Sequence, residues 1–179
     1  MTDINPRIPT DELTPGISAG GPLENAIADF AAAAVRAKGI DPIVTELVRL
    51  RCAQYHDCRL CGSFRVQEAL DAGFDESMQK AIANYEDSDF SPRIKAALRL
   101  CDAMIIRPGD IGPTLKAELH AHFSAAEITE ICADVMKWSQ QKSLVALRIE
   151  PPVSDQHLTQ LIFDGDGQPV VGKPLTTER

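Results

Sequence analysis

The sequence has 179 residues, 44% hydrophobic and 25% charged, a composition typical of one globular domain that excludes a wholly disordered or collagen-like chain. Its 18 basic and 26 acidic side chains give a formal net charge of -8, which disfavours nucleic acid and anionic membrane surfaces as partners. The sequence lacks an apolar run of the ~20 residues needed to span a membrane, and its N-terminus does not resemble a signal peptide. We therefore expect a cytoplasmic protein.

The first half of the chain predicts three helices. Apolar residues recur at helical spacing from Leu23 until Gly39 interrupts the pattern. A second helix is expected after Asp41, a capping residue followed by proline, which is well tolerated in the first helical turn. A third, shorter helix is expected to carry residues 61–69 and to end at Gly73, because glycine commonly ends helices.

The second half continues the helical pattern and changes period only near its end. Asp75 and Ser91 are predicted to cap further helices, and Ser124 with Glu127 forms a capping box ahead of an apolar run. Residues 161–171 contain two short apolar segments separated by an Asp-Gly-Asp-Gly turn, which predicts a small hairpin.

The fold class is therefore predicted as all-α with a small C-terminal β-hairpin. Prolines are concentrated at both ends of the chain and are sparse between them, which indicates a helical body with irregular ends. We divide the chain into an irregular N-terminal arm (1–22), a helical domain (23–149) and a C-terminal tail with the hairpin (150–179).

Two of the five cysteines are three residues apart, in the segment Cys58-Arg-Leu-Cys61. At the start of a helix this spacing would bring both sulfurs to one face, within reach of a disulfide, where helix amides favour thiolate. The same spacing also begins many zinc sites, but the sequence offers neither a second such pair nor a suitably spaced histidine pair. We therefore predict a redox pair and expect neither a metal nor a cofactor.

Charged residues surround this pair in the sequence. Arginines at 49, 51, 59 and 65 form a local basic excess, which would favour a thiolate. Glu46 interrupts an apolar helical run twelve residues before Cys58. It is either a buried carboxylate that exchanges protons with a thiol or a side chain on a solvated helix face.

Residues 46–73 resemble the core motif of the carboxymuconolactone decarboxylase and alkyl hydroperoxidase D-like family, with a glutamate twelve residues before Cys-x-x-Cys. Residues 91–100 and 123–131 resemble the helices that follow that motif, so the resemblance covers roughly residues 23–149. It implies an all-helical fold that assembles into homo-oligomers.

The resemblance also implies a chemistry for the cysteine pair. In peroxidase members such a pair cycles between dithiol and disulfide, with Glu46 in the position of the proton-relay glutamate. The family pattern assigns Cys61 as the residue that attacks the peroxide and Cys58 as the one that closes the disulfide. A dithiol reductant or redox partner protein would then regenerate the pair.

The sequence departs from the family at one position that bears on proton transfer. Peroxidase members commonly have a histidine four residues after the second cysteine, where this chain has Arg65. Arginine does not relay protons at neutral pH, although it lowers the pKa of a neighbouring thiol and holds anions. Proton relay would then fall to Glu46, with His56 as a second candidate.

Three functions remain open from the sequence. The first is a thiol-dependent peroxidase that acts on hydrogen or organic peroxides with Cys58, Cys61 and Glu46. The second is a carboxymuconolactone decarboxylase-like lyase, in which Arg65 or Arg51 holds a small carboxylate. The third is a non-enzymatic oligomer whose disulfide senses redox state.

Overall fold

The computed structural model describes residues 5–11 and 21–175, so parts of the predicted N-terminal arm and the last four residues lie outside the described residues. Within the described ranges the chain forms nine helices and three short strands. In chain order the α-helices and strands are α1 (Pro22–Arg36), α2 (Pro42–His56), α3 (Arg59–Gly62), β1 (Phe64–Val66), α4 (Gln67–Asp71), α5 (Glu76–Ala81), α6 (Pro92–Ile106), α7 (Pro113–His122), α8 (Ala125–Ser139), α9 (Lys142–Leu147), β2 (Leu158–Phe163) and β3 (Pro169–Leu175). Two 3₁₀ turns, Ile82–Asp87 and Pro108–Asp110, flank α6.

The helices begin where their capping residues predict. Asp41 accepts a hydrogen bond from the amide of Ile43 at 2.8 Å and starts α2. Ser91 caps α6 through its hydroxyl. The capping box ahead of α8 is formed in both directions, and it satisfies amides that a helix start leaves unpaired. These predictions are confirmed, as is the predominantly helical fold with a hairpin at its end.

Helix α2 lies at the centre of the molecule and packs against both α6 and α8. Its buried residues include Val44, Leu47, Val48 and Leu50, so most of its circumference faces protein. The main core also receives side chains from α6, α7, α8 and β2. This central position explains how a charged residue of α2 such as Glu46 is buried.

The prediction of one continuous third helix is wrong. The chain forms the single turn α3, leaves the helix as strand β1, and resumes helix only at α4. Strand β1 pairs in parallel with β2, with Phe64 opposite Thr159. Side chains of α2 also bind this segment, since Arg49 donates to the carbonyl of Phe64 and Glu46 accepts from the amide of Val66. These partners replace helical hydrogen bonds and are distant in sequence.

The C-terminal tail packs into the domain. Strands β2 and β3 form the predicted hairpin, whose turn is organised by Asp164 accepting from the amides of Asp166 and Gln168. On β2, Thr159 and Leu161 are buried. The tail therefore completes the core through a three-stranded sheet of order β1-β2-β3.

None of the helices in the described ranges is both long and apolar enough to cross a membrane.

Candidate active site

The structure brings the two cysteines of the Cys-x-x-Cys segment together beside the C-terminal end of α2. Asp57 ends α2 in a left-handed conformation (φ 54°), which turns the chain so that Cys58 caps the next helical turn. The Cys58 sulfur accepts a hydrogen bond from the amide of Cys61 at 3.4 Å. Both cysteines are buried, at 5% and 6% exposure.

The two thiols differ in acidity. The pKa of Cys61 is lowered, first by the hydrogen bond from Cys58 and then by the positive charges of Arg49 and Lys137, which together outweigh burial. The pKa of Cys58 is raised by its hydrogen bond to Cys61 and by burial, and the carboxylate of Glu150 acts in the same direction. Cys61 therefore has the lower pKa of the two thiols, which favours it as the nucleophile.

Glu46 and Arg49 form a buried ion pair next to the cysteines. The guanidinium of Arg49 donates to both carboxylate oxygens of Glu46, at 2.6 and 2.7 Å. Its remaining donors reach the carbonyl oxygens of Cys61 and Phe64, both at 2.7 Å. Glu46 is 0% exposed, so the alternative of a side chain on a solvated helix face is wrong. The pair fixes the backbone of Cys61 relative to α2.

Lys137 and Asp134 face the site from α8. Both are buried, although Lys and Asp almost never are unless they have partners. Burial and the charge of Arg49 lower the pKa of Lys137 to about 7, while Asp134 and Cys61 act in the opposite direction. Burial raises the pKa of Asp134 to about 7. The sequence analysis missed both residues. The sequence feature that could have identified them is the presence of two charged side chains among the apolar core positions of α8.

The two remaining sequence candidates lie near the cysteines but make their polar contacts elsewhere. The imidazole of His56 is 3.2 Å from the hydroxyl of Ser139, and burial followed by the charge of Lys142 lowers its pKa. Arg65 donates to both oxygens of Glu76, at 2.6 and 2.9 Å, and to nearby backbone carbonyls. The participation of these two residues in the chemistry stays a prediction.

The basic excess noted in the sequence is neutralised by ion pairs. Arg51 pairs with Asp102 at 2.6 Å and Arg59 with Glu150 at 2.6 Å, in addition to the pairs formed by the arginines at 49 and 65. Of the four arginines, Arg49 is the one that ranks among the main influences on Cys61. The influence of an arginine on the pKa of Cys61 therefore depends on where that arginine lies, and not on how many arginines are nearby.

Two small cavities border the site. A cleft of about 130 Å³ is lined by Cys58, Gln54 and Asp57, and the last two are exposed. A second cavity, of about 40 Å³, is lined by Glu46, Asp134 and Trp138, among others. Both are below the several hundred Å³ of a pocket for a drug-sized ligand, but each has room for water or a molecule of similar size.

The other cysteines and the histidine pair lie outside this arrangement. Cys52 and Cys101 are in the core with their sulfurs 3.6 Å apart, and Cys132 is half-buried. His120 and His122 both lie on α7. In the part of the chain that the structure describes, there is no group of three or more His, Cys, Asp or Glu side chains placed to hold a metal ion.

The part of the chain that contains the Cys-x-x-Cys segment matches a known protein family. Residues 22–103 match the model of the carboxymuconolactone decarboxylase family, and the matched range includes Glu46, Cys58 and Cys61. Over this range the chain is similar to the carboxymuconolactone decarboxylase family. The matched range covers helices α1–α5 and most of α6.

The curated relatives are uncharacterized proteins. The uncharacterized protein Rv2313c of Mycobacterium tuberculosis is 37% identical over 144 residues, which are 80% of this chain and 51% of the relative. The uncharacterized protein YnjA of Escherichia coli is 30% identical over 95 residues, 52% of each chain. The chain thus spans about half the length of the curated relatives it matches.

A solved structure shares the fold. A protein of unknown function from Agrobacterium tumefaciens, proposed to be the antioxidant defence protein AhpD, superposes with a TM-score of 0.67 at 18% identity. The match covers 84% of this chain and all of that one. At this level of identity, the similarity shows that the helical fold is shared.

Proposed function

We propose that this protein is a thiol-dependent peroxidase that reduces hydrogen peroxide or small organic peroxides with the Cys58–Cys61 pair. The observation that carries the proposal is the asymmetric setting of two buried cysteines that are joined by a hydrogen bond from the Cys61 amide to the Cys58 sulfur. Positive charge lies near Cys61, and the buried carboxylate of Glu150 lies near Cys58. A nucleophilic thiolate with a second thiol beside it is the arrangement that peroxide reduction through a disulfide requires.

The first step is the attack of the Cys61 thiolate on the distal oxygen of the peroxide. A sulfur–oxygen bond forms as the oxygen–oxygen bond breaks, so Cys61 becomes a sulfenic acid and the peroxide leaves as an alcohol or as water after taking up one proton. The hydrogen bonds from Arg49 to the carbonyls of Cys61 and Phe64 hold the attacking residue in place. Glu46 supports the step by fixing Arg49.

The second step is disulfide formation by Cys58. The main cause that raises the pKa of Cys58 is its interaction with Cys61, and this cause disappears once Cys61 is a neutral sulfenic acid. Cys58 then attacks the sulfur of Cys61, and water leaves. Since Cys58 lines the solvent-facing cleft, a dithiol reductant would attack its sulfur and restore both thiols by exchange.

The lyase alternative has less support than the peroxidase, because the arginines it needs are already paired with carboxylates of the chain. Arg65 and Arg51 would have to hold a substrate carboxylate, but their guanidinium groups already form two-point contacts with Glu76 and Asp102. An incoming carboxylate would have to displace an intramolecular one of the same charge. We therefore favour the peroxidase, with the redox-sensing oligomer as the outcome if a disulfide forms without turnover.

We also propose that the protein works in the cytoplasm as a homo-oligomer. A peroxidase that is regenerated by a dithiol needs a reducing compartment. Self-association is implied by the family resemblance and is supported by apolar side chains exposed on the first turns of α1, namely Leu23, Ile27 and Phe30.

Peroxide consumption in the presence of dithiothreitol tests the proposed activity. We expect turnover in the wild-type protein, and a loss of at least about 100-fold in Cys61→Ser and in Cys58→Ser, because each variant lacks one partner of the disulfide. Cys132→Ser is the matched control, since Cys132 is half-buried on α8 outside the pair, and it should retain wild-type turnover. Unchanged turnover in both Ser variants of the pair would exclude this mechanism.

A further inference from the structure

The smaller of the two cavities lies where α1, α2, α8 and β2 meet. Trp138 lines it, and we call it the Trp138 cavity. Its exposed members Ala37, Lys38 and Glu68 mark where it opens to solvent, and the last two form an ion pair. Among the described residues, none lines both this cavity and the cleft at Cys58. The two cavities are therefore separate.

The indole nitrogen of Trp138 lacks a partner. Trp138 is 7% exposed, and its buried Nε1 has no hydrogen-bond partner among the described residues. The ring itself is in contact with protein, since the ammonium nitrogen of Lys137 lies 3.0 Å from its centroid and the ring of Phe163 lies 6.4 Å away. A buried donor without an acceptor is destabilising. The cavity that Trp138 lines is where an acceptor could reach it.

A buried carboxyl group is the second polar feature of the Trp138 cavity. Asp134 is 4% exposed and lies four residues before Trp138, which places both on the same side of α8. Glu46 also lines the cavity, but both of its oxygens accept from Arg49, at 2.6 and 2.7 Å. A carboxylate offers about four acceptor positions, so Asp134 can accept from a ligand as well as from its neighbours.

The charges around the Trp138 cavity disfavour an ionic ligand. An anion would meet the buried carboxyl groups of Asp134 and Glu46. A cation would meet Lys137 and Arg49, whose charged groups lie 3.0 and 5.5 Å from the ring centroid of Trp138. An uncharged molecule avoids both conflicts.

Size and the apolar walls restrict the ligand further. The volume of about 40 Å³ holds about three water-sized groups. Much of the wall is apolar and includes Ala34, Val35 and Ile40. The ligand that fits is thus small and has an alkyl part. Its polar part must accept from an indole and donate to a carboxyl, and a hydroxyl group does both.

We propose that the Trp138 cavity binds a short aliphatic alcohol of about three or four non-hydrogen atoms, such as ethanol or 1-propanol. The hydroxyl oxygen accepts from Nε1 of Trp138, the hydroxyl donates to Asp134, and the alkyl group lies against Val35 and Ile40. This binding does not depend on the proposed peroxidase function, although reduction of a short alkyl hydroperoxide would release an alcohol of this kind.

Trp138 is the only tryptophan of the sequence, so its fluorescence and its indole N–H resonance report on the cavity directly. We expect 1-propanol to change the emission saturably, with a Kd on the order of 1 mM, and to shift the indole proton downfield as it gains an acceptor. Acetate and propylammonium, which are charged and of similar size, and the longer 1-hexanol should give no saturable change. A change that is linear in 1-propanol, or equal affinity for the charged compounds, would overturn the inference.

A variant that fills the cavity tests the location of the site. Ala34 is buried and lines the cavity, whereas its neighbour Ala33 is exposed on the same helix. Ala34→Leu should weaken 1-propanol binding by at least about tenfold, because the added atoms occupy the space of the ligand. Ala33→Leu is the matched control and should bind as wild type does. Equal affinities in the two variants would contradict the assignment.

Trp138→Phe decides the matter if Ala34→Leu does not fold by circular dichroism. It removes the indole donor, and ligand-observed NMR should show binding of 1-propanol weakened by at least about fivefold. Wild-type affinity in this variant would overturn the inference. All these measurements use the reduced protein without peroxide. Absence of peroxide turnover would therefore overturn the proposed function alone, and absence of binding would overturn this inference alone.

Discussion

The acidity of Cys61 depends first on a single donor, the thiol of Cys58. Removing that donor in Cys58→Ala should raise the pKa of Cys61 toward that of an ordinary thiol, so alkylation of Cys61 should require a higher pH. Cys58→Ser keeps a hydroxyl donor at the same position and should retain a lowered pKa. The rate of iodoacetamide labelling of Cys61 as a function of pH measures both variants, and identical profiles would contradict the role of this hydrogen bond.

The Glu46–Arg49 pair is a second residue-scale feature with a measurable consequence. Arg49→Met leaves the carboxylate of Glu46 buried without its partner and two backbone carbonyls without donors, so we expect a loss of about 3–5 kcal/mol of unfolding free energy. Arg107→Met breaks an exposed ion pair with Asp110 and should cost only about 0–1 kcal/mol. Denaturant unfolding measures both values, and equal losses would show that the buried pair stabilises the fold no more than the exposed pair does.

At the scale of elements, the sequence predicts those helices whose signals are local. Caps at Asp41, Ser91 and Ser124 and the apolar periodicity behind them identify α2, α6 and α8 without any tertiary information. Strand β1 has no comparable local signal. It exists because β2, about ninety residues later, pairs with it and because side chains of α2 satisfy its backbone. Such distant partners cannot be read from a window of sequence.

The same distinction applies to the site. The spacing of Glu46, Cys58 and Cys61 identifies residues that the structure indeed brings together, because α2 and α3 are adjacent in the chain. Lys137 and Asp134 reach the site through the packing of α8 on α2, which the sequence does not reveal. The local excess of arginines suggested that Arg65 would act on the cysteines. Arg65 instead pairs with Glu76, and nothing in the sequence indicated this pairing.

Strand β2 should behave as part of the core. Leu161 is 5% exposed and packs in the main core, whereas its neighbour Ile162 points to the opposite face and is 37% exposed. Leu161→Ala should therefore cost about 2–5 kcal/mol of unfolding free energy, and Ile162→Ala considerably less. Thermal or denaturant unfolding compares the two, and a similar small effect in both would mean that the tail is a dispensable addition.

At the scale of the whole molecule, the exposed apolar residues at the start of α1 predict self-association. Leu23, Ile27 and Phe30 recur at spacings of four and three residues and so share one side of the helix. We expect light scattering to report a dimer or larger species that dissociates in the double variant I27E/F30E. Asn25→Glu, an exposed position of α1 that points away from these three, is the control. A monomeric wild-type protein would contradict the proposed assembly.

The whole account depends on a disulfide between two particular sulfurs. Peptide mapping by mass spectrometry after one equivalent of hydrogen peroxide tests it most directly. We predict that the segment containing Cys58 and Cys61 loses two hydrogen atoms per chain and is restored by dithiothreitol, while Cys132 stays unmodified. A pair that remains reduced while peroxide is consumed, or oxidation that occurs first at Cys132, would contradict the account.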